Sequence, residues 1–201
     1  MSRLKPREER AFSVAARGST DESDTELFAA MSAGNLTALG VLYDRHHQSV
    51  RRFVLRAAAG SHDTEDIVHD VFLTASRVAR TYDDRAGSRP FLLGIAANLV
   101  RSRRQKQARW RFAFSLLEGA VTGILRRTPE DGASETEQLQ LLNVGLARLS
   151  EEKRLVLVMI ELEELSGDEV ATALGIPIAT VWTRLHYARA ELRSYLKRRM
   201  G

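Results

Sequence analysis

The sequence contains no cysteine. Disulfides, thiolate metal sites and thiol-based redox sensing are therefore excluded within it, which fits the reducing interior of a cell. It also lacks any apolar run near the roughly 20 residues needed to cross a bilayer. The N-terminal stretch MSRLKPREERAFSVAARG has no continuous apolar core of the kind a secretion signal needs. Neither membrane insertion nor export is expected, and a cytoplasmic location follows. No nucleophile-base set, phosphate-binding glycine loop or pair of catalytic carboxylates can be read along the chain, so an enzyme has little support and no cofactor is expected. His46, His47, His62 and His69 do not form the converging three- or four-ligand set of a metal site.

What is present suits a globular protein. With 201 residues, 44% of them hydrophobic and 28% charged, the chain is long enough for two small domains of under about 100 residues each. The net charge is only +4, but a pI near 9.7 and the clustering of bases predict a polyanionic partner for particular faces.

The segment Leu165 to Leu192, LSGDEVATALGIPIATVWTRLHYARAEL, carries the densest information. Ser166 and Glu169 have the spacing of a capping box, which sets the start of a short helix. Val170, Ala171 and Leu174 give that helix an apolar side, with the small Ala171 placed for a close helix crossing. Gly175 can take the left-handed conformation that ends it, and Ile176-Pro177 presets a new start. Val181, Leu185, Ala188 and Leu192 then recur at four, three and four residues, a single buried stripe. Trp182, Thr183, Arg184, His186, Tyr187 and Arg189 are left on the other faces, suited to base edges and phosphates in a major groove. The pattern is a helix-turn-helix; a helical hairpin with merely solvated Arg and His is the plain alternative.

Residues 1–22 mix charges with Gly, Ser and Thr without periodicity and read as a mobile tail. A helical pattern starts at Asp24, with Leu27 and Met31 on one face. After Gly34-Asn35 a longer stripe runs through Leu39, Leu42, Tyr43, His46, Val50, Phe53 and Val54 to a break at Gly60-Ser61. Asp63 to Arg80 is amphipathic, Tyr82 to Ser88 is a turn-rich loop, and a further helix near Pro90 is expected to bury Phe91, Ile95, Ala96 and Leu99. Its far end holds Arg101, Arg103, Arg104, Lys106, Arg109 and Arg111 with no acid among them, more cations than a helix dipole needs and a footprint for phosphates. Residues 112–136 read as a linker with an apolar segment, and 137–201 as a second domain whose helices carry Leu139, Leu142, Leu146 and Leu149, then Leu155, Val158, Met159 and Leu162 after a Ser150 cap. The fold class is all-α, with domains at 23–111 and 137–201.

Three segments, in order, resemble the group IV, or extracytoplasmic-function, sigma factors of bacterial RNA polymerase. Leu42 to Phe53, LYDRHHQSVRRF, resembles the start of sigma region 2, and Asp63 to Phe72, DTEDIVHDVF, the acidic signature that grips the polymerase clamp helices. Pro90 to Arg104, PFLLGIAANLVRSRR, resembles the helix that reads the minus-10 promoter element, and Glu152 to Leu192 resembles region 4, which reads the minus-35 element. The resemblance implies polymerase contacts at Asp63, Glu65, Asp66, Ile67, His69, Asp70 and Phe72. It implies minus-10 contacts at Tyr82, Arg85, Ser88, Asn98, Arg101, Arg103 and Arg104, and minus-35 contacts at Thr180, Trp182, Thr183, Arg184, His186, Tyr187 and Arg189. Departures from the family pattern are Phe91 for Trp, Ser102 for Asp, His69 for Gln, Ala179 for Gly, and aromatics at Trp182 and Tyr187 where bases are common.

The implied function is that of a non-catalytic initiation subunit whose partners are core RNA polymerase, promoter DNA and, as is common in the family, an anti-sigma factor. The alternative is a polymerase-independent helix-turn-helix regulator with an N-terminal interaction domain, which would need neither DTEDIVHDVF nor a second basic helix. The stretch Trp110 to Arg127 is too apolar for a bare tether and is expected to pack between the two domains, holding them compact until polymerase separates them.

Overall fold

Ser23, Asn35 and Ser166 cap the helices they precede, whereas Asp63 and the expected cap Ser150 stand at N-cap positions without a side-chain cap bond. The computed structural model describes residues 22–59, 63–117 and 137–200, and every regular element among them is helical. Helix α1, Asp24–Ser32, starts at a reciprocal capping box between Ser23 and Glu26. Gly34, at φ +91°, turns the chain into α2, Leu36–Ala57, where the Asn35 side chain accepts the Thr37 N–H at 2.9 Å. Helix α3, Thr64–Arg77, runs into two 3₁₀ turns, Ala79–Thr81 and Asp84–Ala86. Helix α4, Ser88–Leu117, follows. The second group comprises α5, Glu137–Arg148; α6, Glu151–Leu157; a π turn, Val158–Leu162; α7, Gly167–Leu174; and α8, Ile178–Met200.

Helix α4 differs from expectation in extent and in burial. It starts at Ser88, which places Pro90 inside the first turn where its missing N–H costs nothing. It continues to Leu117, so the boundary expected at residue 111 falls within a helix. Of the stripe Phe91, Ile95, Ala96 and Leu99, only Ala96 is fully buried; Leu92, Leu93, Ala97 and Val100 are buried beside it. The cause is tertiary: α4 packs on α2 and α3 on one side and on α7 on another. A Cβ at Gly94 would lie 2.7 Å from the Ala173 carbonyl oxygen, so glycine is what lets the two backbones approach. The tail and residues 118–136, which include Ile124 and Leu125 of the apolar segment, lie outside the described residues, as does Gly60-Ser61, while Trp110, at the start of that segment, is exposed on α4 rather than packed between the groups.

The two helical groups share one continuous core, closed by two buried charges. The Glu163 N–H reaches back to the Val158 carbonyl at 3.0 Å, the widened spacing of a π turn. Its side chain is 2% exposed and receives Arg89 Nη2 at 2.5 Å and Arg56 Nη1 at 3.3 Å, while its carbonyl accepts Arg89 Nη1 at 2.8 Å. Arg154, also buried, donates from Nε to the Ala57 carbonyl at 2.8 Å and from Nη1 to those of Leu146 and Leu149. Removing both Arg56 and Arg89 would leave the buried Glu163 carboxylate without a charge partner, which is strongly destabilising.

Candidate nucleic-acid interface

The helix-turn-helix forms from the signals that its sequence carries. The Glu169 N–H donates to Ser166 Oγ at 3.3 Å, the Ser166 N–H donates to Glu169 Oε2 at 2.7 Å, and Gly175 sits at φ +63° in the left-handed region. Val181, Leu185 and Ala188 are buried, which turns Trp182, Thr183, His186, Tyr187 and Arg189 outward, with Arg184 and Thr180 half-buried. The polar groups are partly engaged already. Arg184 Nη2 lies 3.0 Å from Glu152, Arg189 Nε donates to Glu161 at 2.7 Å, and Thr183 Oγ1 donates to the Ala179 carbonyl at 2.8 Å. His186 meets the Tyr187 ring edge-on at 5.5 Å. What the outer face offers most openly is therefore aromatic surface.

The expected minus-10 residues divide into two sets. Tyr82 stacks on Phe28 at 4.0 Å and meets Phe91 edge-on at 5.4 Å. Burial, with the Asp84 carboxylate adding to it, holds the Tyr82 hydroxyl above its ordinary pKa. Ser88 donates to Asp24. Both side chains are thus tied into the junction of α1 with the start of α4, where they order the loop between them. Arg85 and Asn98 are exposed. Arg101 and Arg104 reach Glu151 of α6 at 3.9 and 3.8 Å, and Arg103 donates to Asp70 at 2.6 Å. Lys106 and Arg109 extend the basic face in the open.

On α3 the expected polymerase contacts also split. Ile67 and Phe72 are 2% and 3% exposed, which corrects their reading as apolar docking groups: the period that puts them together points them into the core, against α2 and α4. Glu65, Asp66 and His69 face outward. Glu65 accepts Arg51 at 2.5 Å, and Asp70 holds Arg103. Asp66 and His69 have no hydrogen bond or ion pair among the described residues. Between α3 and α4 lies an open groove of about 840 Å³, with Asp63 and Asp70 on one wall and Arg103, Lys106 and Trp110 on the other.

Two organising residues escaped the sequence reading. Asp24 accepts from Arg45 and Ser88 and pairs with His46 Nε2 at 2.7 Å, pinning α1 to α2 and α4. Burial pushes its carboxyl up, but the hydrogen bonds from Ser88, His46 and Arg45 outweigh this and hold it below the ordinary value. The Ser-x-x-Glu spacing of Ser23 and Glu26 would have marked the cap beside it. Glu163 had no local signal, because its partners lie in α2 and α4. Among the described residues there is no helix long and apolar enough to cross a membrane and no cluster that could hold a metal ion.

Comparison with known proteins matches both halves. The family model described as Sigma-70 region 2 matches residues 42–110, and that described as Sigma-70, region 4 matches residues 139–192. The ECF RNA polymerase sigma factor SigL of Mycobacterium tuberculosis (strain ATCC 25618 / H37Rv) is 30% identical over 167 residues, 83% of this chain and 93% of that protein. SigM of the same strain is 31% identical over 177 residues, covering 87% of this chain and 85% of its own length. In structure, the chain resembles CnrH in its complex with the cytosolic domain of CnrY, with a TM-score of 0.62 and 24% identity over 88% of this chain and 98% of that one. The sigma factor RpoE in complex with the anti-sigma factor NepR from Bartonella quintana is a similar fold, with a TM-score of 0.59 and 22% identity over 77% of this chain and 94% of that one. With region 2 and region 4 present in order, and a helix-turn-helix in the second, the chain belongs to the ECF sigma factors of the sigma-70 family, RNA polymerase subunits that direct promoter-specific initiation of transcription.

Proposed function

We propose that three helices divide the work of this sigma factor. Helix α3 docks on core RNA polymerase through Asp66 and His69, with Glu65 and the Asp63–Asp70 side of the groove around them. Exposed carboxylates steer a basic surface toward docking more than they add affinity. Helix α4 serves the minus-10 element: Asn98 and Arg85 meet an unstacked non-template base, Lys106 and Arg109 meet backbone phosphates, and Arg101, Arg103 and Arg104 join them by exchanging their present carboxylate partners for phosphates. Tyr82 and Ser88 keep the adjoining loop in shape. Helix α8 reads the minus-35 element in the major groove through Thr180, Trp182, Thr183, Arg184, His186 and Tyr187, with Arg189 on phosphate. The protein acts in the cytoplasm with polymerase, supplies no catalytic group itself, and takes an anti-sigma factor as a further partner.

The observation that carries this reading is the combination, in one chain, of an outward acidic helix with two separate helices bearing bases and polar groups. A DNA-binding regulator working alone has no use for the first. The division is tested by measuring a library of minus-35 duplexes against the polymerase holoenzyme. Thr183→Ala and His186→Ala are expected to relax preference at one or two positions, at about 1–3 kcal/mol per lost base contact. Arg189→Ala should weaken all sequences alike and flatten the salt dependence. Identical rankings for wild type, Thr183→Ala and His186→Ala would remove α8 from the groove.

A further inference from the structure

Trp182 occupies an unusual seat. It stands in the second turn of α8 with half of its surface, 50%, open to solvent. The other half lies on the backbone at the start of α7. A Cβ built on Gly167 would come within 2.5 Å of Cζ2 of the indole and 3.1 Å of Cε2 and Cη2, so the six-membered ring rests where any side chain at 167 would stand. Gly167 is itself buried, and its φ lies outside the left-handed region. Its lack of a side chain is therefore explained by the ring above it rather than by the backbone. A large aromatic group half covered in this way keeps one orientation and loses little further freedom on binding.

The neighbourhood decides what that orientation serves. Arg184 is engaged with Glu152 and Arg189 with Glu161, and the Thr183 hydroxyl is satisfied within its own helix. The large apolar groups exposed on the same helix are Ile178, one turn before Trp182, and Tyr187, with the exposed His186 one turn after Trp182. A guanine edge in the major groove presents N7 and O6 acceptors, which call for a guanidinium fork. The thymine edge presents a C5-methyl, which is the apolar group available there.

We infer that Trp182, held in place by Gly167, reads the C5-methyl of a thymine in the minus-35 element. The inference rests on α8 being the minus-35 reader. It makes Trp182 a specificity-determining residue and Gly167 a positioning residue, and gives this sigma factor a thymine requirement where a basic residue would favour guanine or phosphate.

The test uses the full chain with core polymerase, and the minus-35 duplex that it selects from a randomised pool. Each thymine of that duplex is replaced in turn by deoxyuridine, which removes the methyl and nothing else. Wild type is expected to lose about fourfold in affinity at one thymine position, the effect of exposing one buried methyl. Trp182→Ala and Trp182→Arg should bind thymine and deoxyuridine equally there, whereas Leu36→Ala, at an exposed apolar residue of α2, should keep the discrimination. Gly167→Ala, which displaces the ring but keeps it, should shrink the ratio without altering the thermal transition as Trp182→Ala does, a separation that a purely structural contact would not give. If wild type selects a minus-35 sequence but ignores the methyl at every position, or if both Trp182 variants keep the discrimination, the inference is overturned and α8 still stands as reader. If no minus-35 sequence is selected at all, the reading of α8 falls first and this inference with it.

Discussion

Asp24 shows how one carboxylate can organise a region that DNA is proposed to use. Its partners Arg45, His46 and Ser88 lie in two other helices, so the single side chain ties α1, α2 and the start of α4 together. Because its pKa is lowered in the folded state, its contribution to stability is fully present above the unfolded value of about 3.9. That contribution is lost as pH falls through the lower folded value. Asp24→Asn should therefore cost about 1–3 kcal/mol at neutral pH and should flatten the loss of stability below about pH 4. Urea titrations of both proteins at several pH values measure it, and parallel pH profiles would show that the cluster contributes nothing. Asp66 is the opposite kind of residue: exposed, it adds little to the fold. Asp66→Lys is expected to leave the unfolding transition within about 0.5 kcal/mol of wild type while weakening retention on core polymerase in a pull-down. Undiminished retention would count against α3 as the docking helix.

Elements with their punctuation in the sequence were the legible ones. Ser166, Glu169 and Gly175 announce α7 and its end, and the stripe Val181, Leu185 and Ala188 predicts which face of α8 is outward. Replacing Gly175 by Ala should cost about 1–2 kcal/mol, the penalty for a side chain in the left-handed region, and calorimetry of the full chain would register it; an unchanged transition would mean that the turn relaxes freely. Helix α4 was legible in existence but not in packing. Its period marks the side toward α2 and α3, but nothing local says that α7 covers another side, so Leu92, Leu93 and Ala97 came out buried where Phe91, Ile95 and Leu99 were expected. Ile67 and Phe72 were misassigned for a related reason, since a docking helix and a core helix share the same amphipathic pattern. The π turn at 158–162 has no signature in residue type, because the geometry that places Glu163 is set by its distant partners Arg56 and Arg89.

The whole molecule is held closed by those partners. Glu163 and Arg154 bridge the two helical groups, Gly94 lets α7 lie against α4, and Glu151 stands against Arg101 and Arg104. The compact arrangement expected from the sequence is thus made by direct contact between the groups, whatever residues 118–136 contribute. On the proposed reading Arg101 and Arg104 leave Glu151 for phosphate when both groups engage a promoter, so spin labels at Ser76 in α3 and Ser194 in α8 should move apart when core polymerase is added. Glu163→Gln, which strands two guanidinium groups, should shift the free protein toward the longer distance. A distribution unchanged by both polymerase and substitution would show the closed form to be the working form. The proposed division has α3 serving polymerase while α4 and α8 serve DNA, and transcription in vitro from a two-part promoter with purified core polymerase tests it most directly. The prediction is that wild type starts transcripts that depend on both elements, and that Asp66→Lys abolishes them while still binding the isolated minus-35 duplex as wild type does. Full transcription by Asp66→Lys, or transcripts indifferent to both promoter elements, would contradict it.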